Sequence, residues 1–436
     1  MDESELRQYA EQCLIKNRLL VDVLGPMKGP IFVRAQGSVI EDTSGKQYLD
    51  FNSGQMCSAL GHNNPRIAKA IQESSTILTH ASSVFYNVPQ IQLAKKLSDI
   101  VDLPLAKSMF IQSGADSNEG AILLARRYTG RLNIGAFHLA FHGYSDVTRA
   151  ISFCGTAPGY GPSIPNVYAI PTPYCYRCPY GSEKEECSMP ELTIGLEVLD
   201  HQCPDSLAAI IVEPLVSAGG VIEMPEGFLA TLHEELRKRA ALLIFDEAQT
   251  GLGKLGTMFG YKQEGVIPDI LTLSKHLGRG LPVSAVVTTA DIEERATAGG
   301  MIFGHSHSAD PIACAAGLAS IEEIVTENLP KKAQEIGQYW QDRMEDLQER
   351  YELIGDIRGR GLLQGIELVL DRETKEPAKR EAEEIFKRCV IDGLLFSVRG
   401  PHHNVLRFVP PFTTTPVQLD QAAGILERAI RKSLRM

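Results

Sequence analysis

The sequence predicts an α/β fold in which a large domain with a mostly parallel, helix-covered sheet is followed by a small α+β domain. Three observations predict it. From about residue 60, helical periodicity alternates with short apolar runs, as a layered parallel sheet requires. Two of those runs, Leu242–Phe245 and Ile270–Leu273, end in single groups of opposite charge, Asp246 and Lys275. Late in the chain, Asn328-Leu329-Pro330 breaks the pattern, and helices then alternate with shorter, less apolar strands.

Taken in order, residues 5–24 carry apolar positions at helical spacing (Leu6, Tyr9, Leu14, Leu19, Leu20, Val23), predicting a leading helix that ends near Gly25-Pro26. Residues 31–51 alternate and break at Ser44-Gly45-Lys46, the pattern of a small antiparallel meander. The meander feeds a loop, Asn52-Ser53-Gly54-Gln55-Met56. Helices are expected over Pro65–Ile77 and Gln90–Val101, a strand at Met109–Ile111, and a turn from Ser113 to Glu119 that opens the next helix. Further strands are expected at Ile134–Phe137, Ala208–Val212, Leu242–Phe245, Ile270–Leu273 and Ser284–Thr288, with a helix at Phe228–Arg239. Residues 156–190 hold seven prolines and three cysteines and read as loop. A helix over Asp310–Glu327 closes the large domain. The predicted division is residues 1–60 for the N-terminal helix and meander, 61–327 for the large domain and 328–436 for the small one.

Composition narrows the function. The chain has 436 residues, 44% hydrophobic and 22% charged, which is ordinary globular usage. A net charge of -11 argues against nucleic acid or an anionic membrane as the principal partner. No apolar run is long enough to span a bilayer, and the acidic start, Met1-Asp2-Glu3-Ser4-Glu5, lacks the features of a secretory signal. A cytoplasmic protein is expected, with its nine cysteines as free thiols.

Several residues carry chemistry. Ser113-Gly114-Ala115 opens a helix, where exposed N–H groups suit a phosphate; a capped helix with a glycine turn is the plainer alternative. Phe141, in Phe141-His142-Gly143 past a strand, could stack on a flat ring or simply pack. Asp246 ends a buried strand and needs a partner, either a protonated ring nitrogen or a structural arginine. Lys275 is placed to lose pKa by desolvation and attack a carbonyl, or else to snorkel. Arg407 is a lone cation in an apolar strand, suited to a substrate carboxylate or to a salt bridge between domains. Cys175, Cys178 and Cys187 form half of a metal site with no second pair and read as loop thiols. Arg399-Gly400-Pro401-His402-His403 is a basic turn near Arg407 that could help bind an anionic substrate such as a phosphonate; a solvated loop is the favoured reading.

Together these residues resemble the class III (ω-) aminotransferase family, pyridoxal-phosphate enzymes of fold type I. The stretch Ile244-Phe245-Asp246-Glu247-Ala248-Gln249-Thr250-Gly251, followed by Pro268-Asp269-Ile270 and Ser274-Lys275, carries it most specifically. The resemblance implies pyridoxal 5'-phosphate as cofactor, Lys275 as the Schiff-base lysine and Asp246 on the ring nitrogen. It implies Gln249 on the ring hydroxyl, Phe141 stacked on the ring, and Ser113, Gly114 and Ala115 on the phosphate, with His142 and Glu213 also at the cofactor. Ser306 would reach the phosphate in a neighbouring subunit, making a homodimer or a dimer of dimers.

Within the family the sequence is most similar to the 2,2-dialkylglycine decarboxylases, through Ser53-Gly54-Gln55-Met56, Gly256–Gly260, Gly355–Gly361 and Thr374–Ala378. This implies a decarboxylating transaminase acting on an α,α-dialkyl amino acid, with an α-keto acid as amino acceptor. Gln55 would place the departing carboxylate. Met56, Tyr144, Ala218 and Arg407 would line the substrate site. A K+ or Na+ site is implied at Ser83 and Asp310. Two positions depart from that pattern, Phe141 for a tryptophan and Ala218 for a serine. An ordinary class III aminotransferase, or an epimerase or ammonia-lyase on a small anionic amino compound, is the alternative.

Overall fold

The computed structural model describes residues 2–15, 29–154, 163–181 and 187–434. Its centre is a seven-stranded sheet in the order Leu105–Ile111, Ser284–Thr289, Ile270–Leu273, Leu242–Asp246, Leu207–Val212, Asn133–Phe137, Val167–Ile170. Only Ser284–Thr289 runs against its neighbours. The apolar runs are continuous because both faces of the sheet are covered. Leu243, Phe245, Ile210 and Leu271 belong to one core, and Leu242, Ile244, Ile211 and Ile270 to another. This is the period-two alternation of a strand buried on both sides.

Helices seal each face. Phe228–Lys238 contributes Phe228, Leu229, Leu232 and Leu236 to the first core. Gly114–Thr129 contributes Ala121, Ile122, Leu124 and Ala125 to the second. That helix starts in a capping box between Ser113 and Asp116 and ends on Gly130 in the left-handed region, so its first turn is fixed at the sheet's edge of chemistry.

A second sheet, all antiparallel, holds Ile354–Arg360, Leu363–Leu368, Val405–Phe408 and Ser397–Arg399. A third joins the predicted meander, Phe32–Gln36, Val39–Asp42 and Gln47–Asp50, to Leu394–Leu395, which pairs with it in parallel. The two ends of the chain are therefore hydrogen-bonded into one sheet. Trp340 locks the junction: it is 1% exposed and packs edge-on against Phe51 at 5.5 Å and Phe408 at 5.2 Å.

Some expectations change. The leading helix runs only Glu3–Cys13, set by a capping box of Asp2 with Glu5, and Leu14 is already extended. The rest of the span expected for it, from residue 16, lies outside the described residues. The proline-rich stretch contains a sheet strand, Val167–Ile170, lying between Pro165 and Pro171 at the sheet edge, where proline is tolerated. Its end begins a helix, Pro190–Gln202, that the sequence reading left out. None of the nine cysteines is in a disulfide. Among the described residues no helix is long and apolar enough to cross a membrane.

Replacing Trp340 with alanine should remove the clamp between the chain ends. The expected loss is about 3–5 kcal/mol, the usual cost of a large aromatic deletion. An unchanged denaturation midpoint in Trp340→Ala would show that the junction is held elsewhere.

Candidate active site

Asp246 ends its strand opposite Thr272, in the parallel pairing that also sets Ile244 beside Ile270. Its carboxylate is 4% exposed and fully engaged. Oδ2 accepts from Asn118 Nδ2 at 2.8 Å and meets His142 Nδ1 at 2.9 Å, and Oδ1 accepts from the Ala248 N–H at 3.0 Å. Thr272 Oγ1 donates to Asn118 Oδ1 at 2.7 Å, completing a chain from one strand to the next. Burial works to raise the Asp246 carboxyl. The His142 hydrogen bond and charge, with the Lys275 ammonium, overrule it and hold the group below its ordinary range. Among the described residues no arginine pairs with Asp246, and its charged partner is His142, against the structural-arginine alternative.

Lys275 follows the next strand and has a φ of +33°, an uncommon backbone state for a lysine. Burial pushes its amine below the ordinary lysine value, against the opposing pull of Asp246, Cys57 and Glu213. It lines two cavities at once. One, of about 530 Å³, is bounded by Ser113, Gly114, Ala115, Phe141, Asp246 and Gln249. The other, of about 460 Å³, is bounded by Gln55, Met56, Tyr144, Ala218, Arg399 and Arg407.

The first cavity fits pyridoxal phosphate. The N–H groups of Gly114 and Ala115 have no hydrogen-bond partner among the described residues, as a helix N-terminus offers an anion. A side chain at Gly114 would meet Ser274 Oγ at 2.8 Å, so the backbone must stay bare there. Ser274 Oγ and His142 Nε2 are buried polar atoms without partners. The Ser113 hydroxyl is already occupied, donating to Asp116 Oδ2 at 2.8 Å. Glu213 accepts from the Phe141 N–H at 3.2 Å and the Ser217 N–H at 3.1 Å. Burial, aided by Asp246, pushes its carboxyl up to about 7.

At the second cavity, Asp50 shapes the turn that carries Gln55. Its oxygens accept from the Asn52 N–H at 3.1 Å and the Gly54 N–H at 2.6 Å, and Ser53 Oγ donates to Val409 O at 2.5 Å. Ser53, Gly54 and Met56 all have positive φ. Gln55 lies exposed toward the cavity and Met56 is buried beside it. Arg407 is 1% exposed, yet no carboxylate pairs with it among the described residues. Its bonds run to Ser397 Oγ (3.2 Å), Ser217 Oγ (2.9 Å) and Gln249 Oε1 (3.1 Å). The salt-bridge alternative for Arg407 therefore fails as well.

Two predicted groups stand apart. Ser306 is exposed and lines neither cavity of this chain. Ser83 is exposed, and both oxygens of Asp310 are engaged, by His80 Nδ1 at 2.6 Å and His307 Nδ1 at 2.7 Å. Asn118 and Ser217 were missed from sequence. Asn118 lay within reach, one turn after Gly114 on the same helix face.

A helix-covered sheet with an ionised acid and a desolvated lysine at neighbouring strand ends is the layout of a fold type I pyridoxal-phosphate transferase. Residues 25–430 match the model for aminotransferase class III, and the chain belongs to that family. It is 36% identical to an uncharacterized aminotransferase of Schizosaccharomyces pombe, over 95% of this chain and 93% of that one. It is 37% identical to a leucine/methionine racemase of Thermococcus litoralis, over 92% and 90%. Its backbone is similar to a thermostable (S)-enantioselective ω-transaminase from Thermomicrobium roseum, with a TM-score of 0.92, 29% identity and coverage of 100% and 99%.

Glu213 makes a pH prediction. Its carboxyl titrates near 4.5 unfolded and about 7 folded. The stability this shift contributes is complete below 4.5 and lost as pH rises through 7. In cofactor-free protein, Glu213→Gln should therefore gain on the wild type in melting temperature between pH 5 and pH 8. A gap that stays constant over that range would refute the shift.

Proposed function

We propose that this aminotransferase exchanges an amino group between an amino acid and an α-keto acid, with Lys275 as both cofactor anchor and proton carrier. The observation that supports this best is the position of Lys275 on the shared wall of the two cavities. Pyridoxal phosphate, when bound, supplies an aldehyde for the amino group and a protonated ring that draws electrons from the substrate Cα.

The rest falls to the chain's own residues. The Gly114 and Ala115 N–H groups hold the phosphate, with Ser113 as the helix cap that aims them. Asp246, kept ionised by His142 and Asn118, keeps the ring nitrogen protonated. Phe141 offers a stacking face and Gln249 a hydrogen bond to the ring hydroxyl. Arg407, with no carboxylate paired to it among the described residues, receives the substrate carboxylate. The Lys275 amine, neutral more readily than an exposed lysine, moves a proton on and off Cα.

Similarity to aminotransferases favours plain amino transfer over the decarboxylating reaction that the sequence suggested. Gln55 keeps decarboxylation as a second reading, because it borders the substrate cavity with Lys275 and Arg407 on a turn held rigid by Asp50. We also propose a homodimer. The consecutive residues Val84, Phe85 and Tyr86 are 71–85% exposed, an apolar surface that water disfavours. Such a dimer would give the exposed Ser306 a cofactor to reach, in the partner.

Holoenzyme reduced with borohydride should yield one modified peptide, containing Lys275. Amino transfer should fall about 10²–10⁴-fold or more in Lys275→Ala. Assaying leucine and 2-aminoisobutyrate with pyruvate separates the reactions: alanine formed from leucine without CO2 supports plain transfer, CO2 from 2-aminoisobutyrate supports the Gln55 reading, and inversion at Cα of leucine alone sinks both. Sedimentation should show Phe85→Glu shifted toward monomer relative to wild type, and a monomeric wild type would end the dimer proposal.

A further inference from the structure

The substrate cavity is lined by a second guanidinium that the proposed chemistry leaves unused. Arg399 ends the strand Ser397–Arg399, whose Ser397 lies directly opposite Arg407 on the antiparallel partner. Residues two apart on a strand share a face, so Arg399 and Arg407 leave the sheet on the same side as diagonal neighbours. Their backbones stand roughly 7–8 Å apart in that geometry. Both border the same cavity, and no aspartate or glutamate is among the described residues lining it.

Among the described residues no acid satisfies either cation. Arg407 bonds only neutral oxygens. Arg399 has a single long bond, from Nη1 to Val398 O at 3.4 Å. Glu213, the nearest candidate on the cofactor side, spends both oxygens on backbone N–H groups. Two like charges on one half-buried wall repel, and holding both there needs anionic charge from outside. The wall is also preformed. The Gly400 N–H donates to Ala218 O at 3.3 Å and the His403 N–H to Gly400 O at 3.1 Å, which ties the turn after Arg399 to the pocket floor. Met56, Leu139 and Phe153 add an apolar surface that suits a short methylene spacer.

We infer that this pocket takes an amino compound bearing two anionic groups, Arg407 holding one and Arg399 the other, so that Arg399 selects dianionic over monoanionic substrates. The second group is a carboxylate or a phosphonate, since a guanidinium reads either through the same paired donors. The inference rests on the aminotransferase reading of this pocket, in which Arg407 receives a carboxylate.

Titration calorimetry on the holoenzyme tests it with three unreactive probes: glutarate, 3-phosphonopropanoate and butyrate. Wild type should bind at least one dianion about tenfold or more tighter than butyrate, the scale of a charge-assisted hydrogen bond. Arg399→Gln should erase that gap while butyrate affinity stays within about twofold, which also reports an intact pocket. Arg399→Lys should restore part of it. Whichever dianion binds tighter identifies the second group. Equal binding of all three probes by wild type, or an equal loss for all three in Arg399→Gln, overturns the inference. The aminotransferase reading is scored separately, by cofactor absorbance and borohydride fixation on Lys275. Failure there with the dianion gap intact would overturn that reading while leaving the Arg399 subsite standing.

Discussion

The structure depends on keeping one carboxylate charged where it is almost fully dry. Asp246 lies at a strand end under two helical layers, where an unpaired acid would take up a proton. The fold prevents this with three donors drawn from three places: a helix side chain, a loop imidazole and the next turn of backbone. Two of these donors are themselves held. Asn118 is braced by Thr272, and the backbone N–H of His142 is tied to Ser152 Oγ at 2.7 Å. The strand order, the first turn of helix Gly114–Thr129 and the loop after Phe137 are all constrained by that one charge. Lys275 owes its lowered pKa to the same burial, whereas Asp246 keeps its lowered pKa in spite of that burial, through His142 and Lys275.

The residues proposed to select the substrate come from elsewhere in the chain. Gln55 stands on a turn just past the N-terminal meander, and Arg399 and Arg407 on a hairpin more than three hundred residues later. They meet because the Val409 N–H donates to Phe51 O at 2.6 Å, Ser53 Oγ returns a bond to Val409 O, and Trp340 fills the space between. The end proposed for the cofactor belongs to the central sheet, while the end proposed for the substrate is built where residues 50–56 meet residues 397–409. Changes in one can therefore leave the other intact, which fits a family whose members share one cofactor arrangement and differ in substrate.

Much of this was legible in the residues. The apolar runs of the central sheet announce themselves because both faces are buried, and Asp246 and Lys275 stand out as charges ending such runs. The pairing of Gln47–Asp50 with Leu394–Leu395 was not legible, because parallel contacts between distant segments leave no local pattern. Val167–Ile170 was hidden by its flanking prolines, which read as loop although an edge strand tolerates them. Asn118 and Ser217 escaped notice because a single polar residue in an apolar context looks like any cap or turn until its partner is placed. The Arg399 turn was read as solvated surface. Its register against Arg407, which sequence spacing does not encode, moves it into the pocket.

The parallel pairing of Leu394–Leu395 with the meander also bears on the order of assembly. During synthesis the strand Gln47–Asp50 emerges some 340 residues before the segment that pairs with it. Until then its edge offers unpaired N–H and C=O groups to any strand that passes. Contacts so distant in sequence form late and slowly, because a long loop must close before they form. The turn bearing Gln55 therefore reaches its final shape only near the end of folding, after the central sheet has had time to form. A nascent chain could hold a finished central sheet while still lacking the wall proposed to select the substrate.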